Sequence, residues 1–215
     1  MSDNKRIDYR VIPTRVNVDY LDNQGNFVYD LQLLDDKNFS YELYGYLQHI
    51  SYYDKECNKQ FRKVYVEDFS IRKACKALKM SNQKLQKHLK YLKEINFITE
   101  EKFEDHFGKY YKLPRLECST YTKLDFENPR VLKLFYGCND TTIRVALLYK
   151  AFCDNYEHCY LSIDQICEKI GISDCSYSHS KITMINKMLC ELGIIYMYKV
   201  PGPNGHFKNV YGCTI

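Results

Sequence analysis

Apolar residues recur every three or four positions through the middle of the first half of the chain, and that period predicts helices. Ile71, Ala74, Cys75 and Leu78 form one stripe, beginning just after Ser70. Leu85, Leu89 and Leu92 form a second, over about Asn82 to Ile95. Met80-Ser81-Asn82 separates the two as a turn, and Asn96, which tolerates a left-handed backbone, ends the second helix. Phe97 to Phe103 and Lys109 to Leu113 flank a turn at Asp105 to Gly108, which predicts a two-stranded hairpin. Upstream, Asn38 to Tyr53 reads as a helix with Ser40 as its N-cap and Leu43, Leu47 and Ile50 inward. Tyr9 to Tyr20 reads as a strand that Pro13 places at an edge or at a bulge, followed by a turn at Asp22 to Asn26. Phe27 to Leu34 fits either a return strand or a short helix. Asp54 to Lys63 is polar and loop-like, and Val64 to Val66 is a short strand.

The pattern occurs twice. Phe69-Ser-Ile, Cys75, Leu78, Met80-Ser81 matches Leu161-Ser-Ile, Cys167, Ile170, Ile172-Ser173, 92 positions on; Leu92 to Ile98 matches Leu189 to Ile195, 97 positions on. The difference is a five-residue insertion in the turn around Asp174 to Ser178, where insertions are tolerated. Tyr121 to Phe126 is the second lead strand, Asn128-Pro129-Arg130 a turn or helix start, and Thr141 to Cys153 a helix capped by Asp140 or Thr141. Ser162 to Ile170 and Ser178 to Leu192 are the next two helices, ended by Gly171 and Gly193. Ile194 to Val200 and Phe207 to Cys213 flank Pro201 to Gly205 as a second hairpin, with His206 and Lys208 at its tip. The fold class is therefore α+β, with two modules at 1–117 and 118–215.

Charge separates the copies. The chain carries only +4. Between Asp68 and Glu94, however, stand Arg72, Lys73, Lys76, Lys79, Lys84, Lys87, Lys90 and Lys93 with no acid among them. A lysine run on an amphipathic helix is often no more than a solvated face. Eight bases without an acid on a helix-turn-helix are the footprint of a phosphate-neutralising surface. The face opposite the Leu85–Leu92 stripe offers Gln83, Gln86, Lys87 and Lys90, flanked by Lys84 and Tyr91, all able to donate to base edges or phosphates. From Ser162 to Cys190 three acids, Asp164, Glu168 and Asp174, balance Lys169, Lys181 and Lys187. The second module therefore reads DNA with a smaller electrostatic share, or serves dimerisation or partner docking.

Enzyme signatures are missing: no P-loop, dinucleotide-binding, zinc-protease or nucleophile-elbow motif occurs. The six histidines are scattered singly, which argues against a nicking tyrosine with a paired-histidine metal site. Ten cysteines show no C-x-x-C pair and read as reduced, packed side chains, with Cys153, His158 and Cys159 as the best metal cluster. No cofactor is expected. No apolar run reaches a membrane span of ~18 residues, and the N-terminus lacks an apolar signal region, so a cytoplasmic location without membrane contact is expected.

Helix, helix-turn-helix and two-stranded wing, appearing twice, resemble a tandem winged-helix protein. The pairing is similar to that in the replication initiators of plasmids and mobile elements, as is the lead-in of strand, Asn128-Pro129 turn and Asp140-Thr141 pair before a helix. The resemblance implies a non-catalytic, sequence-specific double-stranded DNA binder recruiting host replication proteins. It implies recognition helices at Asn82–Lys93 and Ser178–Cys190 and wing tips at Asp105–Lys109 and Pro201–Lys208. The DNA-contacting residues expected are then Arg72, Lys73, Ser81, Asn82, Gln83, Lys84, Gln86, Lys87, Lys90, Tyr91 and Lys109 in the first module. In the second they are Ser178, His179, Ser180, Lys181, Thr183, Lys187, His206 and Lys208. A transcriptional regulator and a protein-interaction scaffold are the alternatives. Tyr- and Ile-rich strands at Tyr9–Tyr20 and Ile194–Val200 would allow an edge-to-edge homodimer.

Overall fold

A computed structural model describes residues 26–53, 62–65, 68–102, 109–113, 121–202 and 205–215. The expected strand at Tyr9–Tyr20, most of the turn that follows it, the first wing's turn and the module boundary near 114–120 lie outside the described residues. The architecture is α+β, with helices packed around small antiparallel sheets.

In the first half, β1 (Asn26–Asp30) is followed by turns, then α1 (Tyr41–His49), β2 (Tyr52–Tyr53) and β3 (Arg62–Tyr65). Next come α2 (Ile71–Leu78), α3 (Asn82–Glu94), β4 (Thr99–Lys102) and β5 (Lys109–Leu113). The strand order β2-β3-β5-β4 places the strand that precedes α2 beside the hairpin's second strand. The helix expected to run to Tyr53 stops at His49, and the expected loop ends at Arg62. The cause is pairing of Tyr52 with Lys63 and Tyr53 with Arg62, whose guanidinium donates to the Ser51 hydroxyl and carbonyl at 2.6 and 2.9 Å. Phe27 to Leu34 resolves as a strand to Asp30 and then turns.

In the second half, β6 (Tyr121–Asp125) is followed by α4 (Pro129–Gly137), α5 (Asp140–Tyr156), α6 (Ile163–Lys169), α7 (Ser176–Glu191), β7 (Ile195–Pro201) and β8 (Phe207–Cys213). Here the strand before the helix pair shrinks to a single bridge between Cys159 and Tyr211. Helix α4 is new relative to the sequence reading, which saw only its Asn-Pro start. Asn128 caps it, Pro129 fits its first turn, and Val131, Leu134 and Phe135 bury one face. The cap of α5 is Asn139, whose side chain accepts from the Thr142 N–H, rather than Asp140 or Thr141. Helix α7 begins at Ser176, so part of the insertion is absorbed as extra helix and not as loop.

The halves share one interior. β1 pairs antiparallel with β6, so the two lead strands form a single ribbon. Helix α4 packs on α1 and α2. Gly45 makes that approach possible: a Cβ there would lie 2.3 Å from the buried Phe135 ring. Arg144, on the buried side of α5, is a further link across the halves. Its Nε donates to Asp140 at 2.6 Å, and its two terminal nitrogens donate to the carbonyls of Leu33, Leu34, Asp36 and Phe39. One guanidinium thus satisfies four backbone acceptors of the loop that leads into α1. Burying it is tolerable only because its charge is paired and its donors are used. Ser40 caps α1 by accepting from the Leu43 N–H at 3.2 Å, as expected.

Candidate nucleic-acid interface

The two helix pairs match position by position along the sequence, and Ser residues cap the first helix of each. Ser70 caps α2 by accepting from the Lys73 N–H at 3.1 Å, and Ser162 caps α6 through a reciprocal pair with Gln165. Lys79 and Gly171 end these helices with φ of 50° and 67°, and Asn96 and Gly193 end α3 and α7 with φ of 60° and 66°. Lys79 holds this left-handed backbone with a Cβ, where Gly171 cannot carry one: it would meet the Asp35 carbonyl at 2.6 Å.

Packing decides which face each helix shows. Leu85, His88, Leu89 and Leu92 of α3 are buried, and 97 positions on so are Ile182, Ile185, Asn186 and Leu189 of α7. His88 is anchored by its Nδ1 at 2.9 Å from the Asn38 carbonyl, and burial pushes its pKa down. The outward face of α3 consists of Asn82, Gln83, Lys84, Gln86, Lys87 and Lys90, all exposed. From Gln83 to Lys90 it extends about 10 Å along the helix. Arg72, Lys73, Lys76 and Lys79 of the preceding helix are exposed as well. Among the described residues no carboxylate lies within ion-pair distance of Arg72, Lys73, Lys76, Lys79, Lys84 or Lys87. Lys90 pairs with Glu94 at 3.5 Å, but at 79 % and 55 % exposure that pair is weak and easily exchanged.

Other expected contacts are already engaged. Ser81 is the α3 cap, accepting from the Lys84 N–H at 3.3 Å. The Tyr91 hydroxyl donates to Asp36 and is held against the first-half loop. Lys93 and Lys109 converge on Glu100 at 2.7 and 2.8 Å, and these two ammonium groups hold its carboxyl at a pKa of about 2. Lys93 also stands 4.8 Å over the Tyr111 ring. Lys109, expected at a wing tip, therefore braces the hairpin.

On α7 the expected donors are largely consumed within the protein. Ser178 is buried, its hydroxyl 3.4 Å from the Cys175 thiol. Ser180 and Thr183 donate back to the carbonyls of Ser176 and His179, and Lys181 donates to the Thr141 hydroxyl at 3.3 Å. His179 Nε2 lies 2.5 Å from Asp174 and 3.1 Å from Asp164. These three are the one group among the described residues whose ligand-type atoms gather closely enough for a metal ion; exposed acids commonly cluster so without one. The Cys153–His158–Cys159 cluster does not gather that way. Cys153 donates to the Tyr211 carbonyl at 3.5 Å, and burial pushes its thiol up to about 12. Lys187, His206 and Lys208 are exposed. Sequence reasoning missed Tyr177 and Met184, 77 % and 73 % exposed on the outward face of α7. The signal was available: at 97 positions' offset Met184 stands where the first copy has Lys87.

Near the inter-half seam, Glu42 of α1 is buried beside Asp140, to whose carboxylate its own N–H donates at 3.2 Å. Burial, with the Asp140 charge adding, raises the Glu42 pKa to about 7.

No protein-family model matches the chain, and no curated protein is significantly similar to it in sequence. Among the described residues no helix is long and apolar enough to cross a membrane.

Proposed function

We propose that the chain is a non-catalytic, sequence-specific binder of double-stranded DNA, built from two winged helix-turn-helix modules, with α3 entering the major groove. The observation that carries this reading is the α2–α3 face: six exposed bases with no carboxylate within ion-pair distance among the described residues, interleaved with Gln83 and Gln86. Amides and amines at that spacing can reach base edges while flanking lysines meet phosphates. The order helix, strand, helix, helix, hairpin in each half, with the first strand beside the hairpin's second, supports the winged-helix assignment. The resemblance noted above supports a plasmid-type replication initiator acting at origin repeats.

The test is an anisotropy titration at two salt concentrations. It compares random duplex with duplexes from the DNA flanking the protein's own gene. Replacing Lys87 and Lys90 with Ala should weaken binding and flatten the salt dependence by about two units of log–log slope. Unchanged affinity removes α3 as the recognition helix. Tyr177 and Met184 favour a second reading in which α7 meets a protein instead of DNA. Under that reading Lys187→Ala leaves duplex binding untouched, while Met184→Asp abolishes a partner contact.

A further inference from the structure

The second hairpin differs chemically from the first. From Leu192 to Ile215 there is no acid, while Lys199, His206 and Lys208 are present. Tyr196 and Tyr198 of β7 are 46 % and 38 % exposed, and Phe207 at the hairpin's end is 68 % exposed. Being two residues apart on a strand, the tyrosines share a face. Their rings are nearly parallel, 14° apart with centroids 6.3 Å apart.

This arrangement is built by the neighbours. Tyr196 pairs with Gly212, and a Cβ at Gly212 would fall 2.0 Å from the Tyr196 ring. Only glycine lets that ring lie across β8. Tyr198 is braced edge-on by His158, with centroids 5.7 Å apart at 84°. Lys208, opposite Val200, lies on the same face two positions further along. Beside it runs a cleft of about 280 Å³, lined by Tyr160, Ser162, Gln165, Lys208 and Asn209. That is just below the size of drug-sized ligand pockets and suits a single base.

We propose that this hairpin is a binding site for single-stranded DNA, in which Tyr196 and Tyr198 stack on unpaired bases and Lys208, on the same face, meets the phosphates. In duplex DNA the base faces are covered by their neighbours, so an exposed row of rings has nothing to stack on unless the strands have separated. The absence of acids matches a polyanion and disfavours a basic partner. The choice of DNA as the nucleic acid rests on the duplex-binding reading above; the stacking chemistry does not.

The test uses the full chain and fluorescein-labelled oligothymidine of about 15 nucleotides, within the span of known single-strand sites. Tyr196→Ala with Tyr198→Ala should weaken binding about tenfold or more, with duplex affinity and the thermal melt unchanged. Tyr196→Phe with Tyr198→Phe should restore binding, because the ring face remains. Lys87→Ala with Lys90→Ala should do the reverse, losing duplex and keeping oligothymidine, so the two readings fail separately. Four results overturn the proposal: no oligothymidine binding by the wild type at low salt, unchanged affinity in the alanine variant, tighter binding to oligouridine, or a dimer in sedimentation that the alanine variant dissociates. The last would mean that a second copy covers the rings.

Discussion

The first and second helix pairs have the same inside and opposite outsides. At matched positions Ala74 and Ile166, Leu78 and Ile170, Leu85 and Ile182, and Leu92 and Leu189 all face inward. On the surface, Arg72, Lys73 and Lys76 of α2 correspond to Asp164, Gln165 and Glu168 of α6, and Lys87 of α3 corresponds to Met184 of α7. The hairpins diverge the same way: Thr99, Glu100 and Glu101 correspond to Tyr196, Met197 and Tyr198. The lesson is that burial dictates only the apolar stripe, which both copies need in order to pack. The exposed positions make little difference to stability, so each copy can carry a different partner chemistry on one scaffold.

The largest expected effect tests whether the two copies are energetically one body. Arg144→Ala leaves the carbonyls of Leu33, Leu34, Asp36 and Phe39 without their donor and Asp140 without its cation. It should cost about 3–5 kcal/mol in urea unfolding. A loss near zero would mean that the halves do not depend on this joint.

Next comes the surface exchange. Giving the first copy the second copy's α2 charges, Arg72→Asp with Lys76→Glu, should reduce duplex affinity more than Lys87→Ala with Lys90→Ala, because it adds repulsion to lost attraction. The unfolding midpoint should move little, since both sites are exposed. A large loss of stability would show that these side chains act in packing instead.

Glu42 gives a pH test of the seam. Its folded pKa, about 7, lies above its unfolded value near 4.5. The folded state therefore binds the proton more tightly, and the stability contributed by that proton is complete at acid pH. It is lost as pH rises from about 4.5 through about 7, by up to ~3 kcal/mol. Glu42→Gln should flatten this decline: wild type and variant differ little at pH 5, and the variant melts higher at pH 8. Parallel curves would remove Glu42 as the cause.

The smallest effect concerns the helix ends. Lys79→Gly gives the first copy the residue that the second carries at Gly171. Relief of the left-handed backbone is partly offset by the extra freedom of the unfolded chain, so a gain of about 0.5 kcal/mol is expected. A loss would mean that the Lys79 side chain makes a compensating contact.

The local and periodic part of the fold is written in the order of the residues. The stripes of α2, α3, α6 and α7, the cap at Ser40, the helix starts near Ser70 and Ser162, and the left-handed stops at Asn96, Gly171 and Gly193 were all legible, whereas Ser81 read as a DNA contact and is the α3 cap. Each depends on residues within one or two turns. The basic face was legible as well, because charge and period coincide in one stretch. Tertiary structure decided the rest. Helix α4 was hidden because its apolar run, Val131 to Phe135, is short, and the surface that buries it, α1 at Gly45, lies far away in the chain. The end of α1 was misjudged because Tyr52 and Tyr53 pair with a strand ten residues away. Ser178, His179 and Lys181 read as donors for DNA, yet each finds a partner inside the protein: Cys175, the pair Asp164 and Asp174, and Thr141. Arg144 read as one polar residue in a helix, and only the fold brings four carbonyls from the other half around it. Period and capping are local energies written along the chain. The satisfaction of a buried polar group depends on atoms more than a hundred residues away, which no local pattern records.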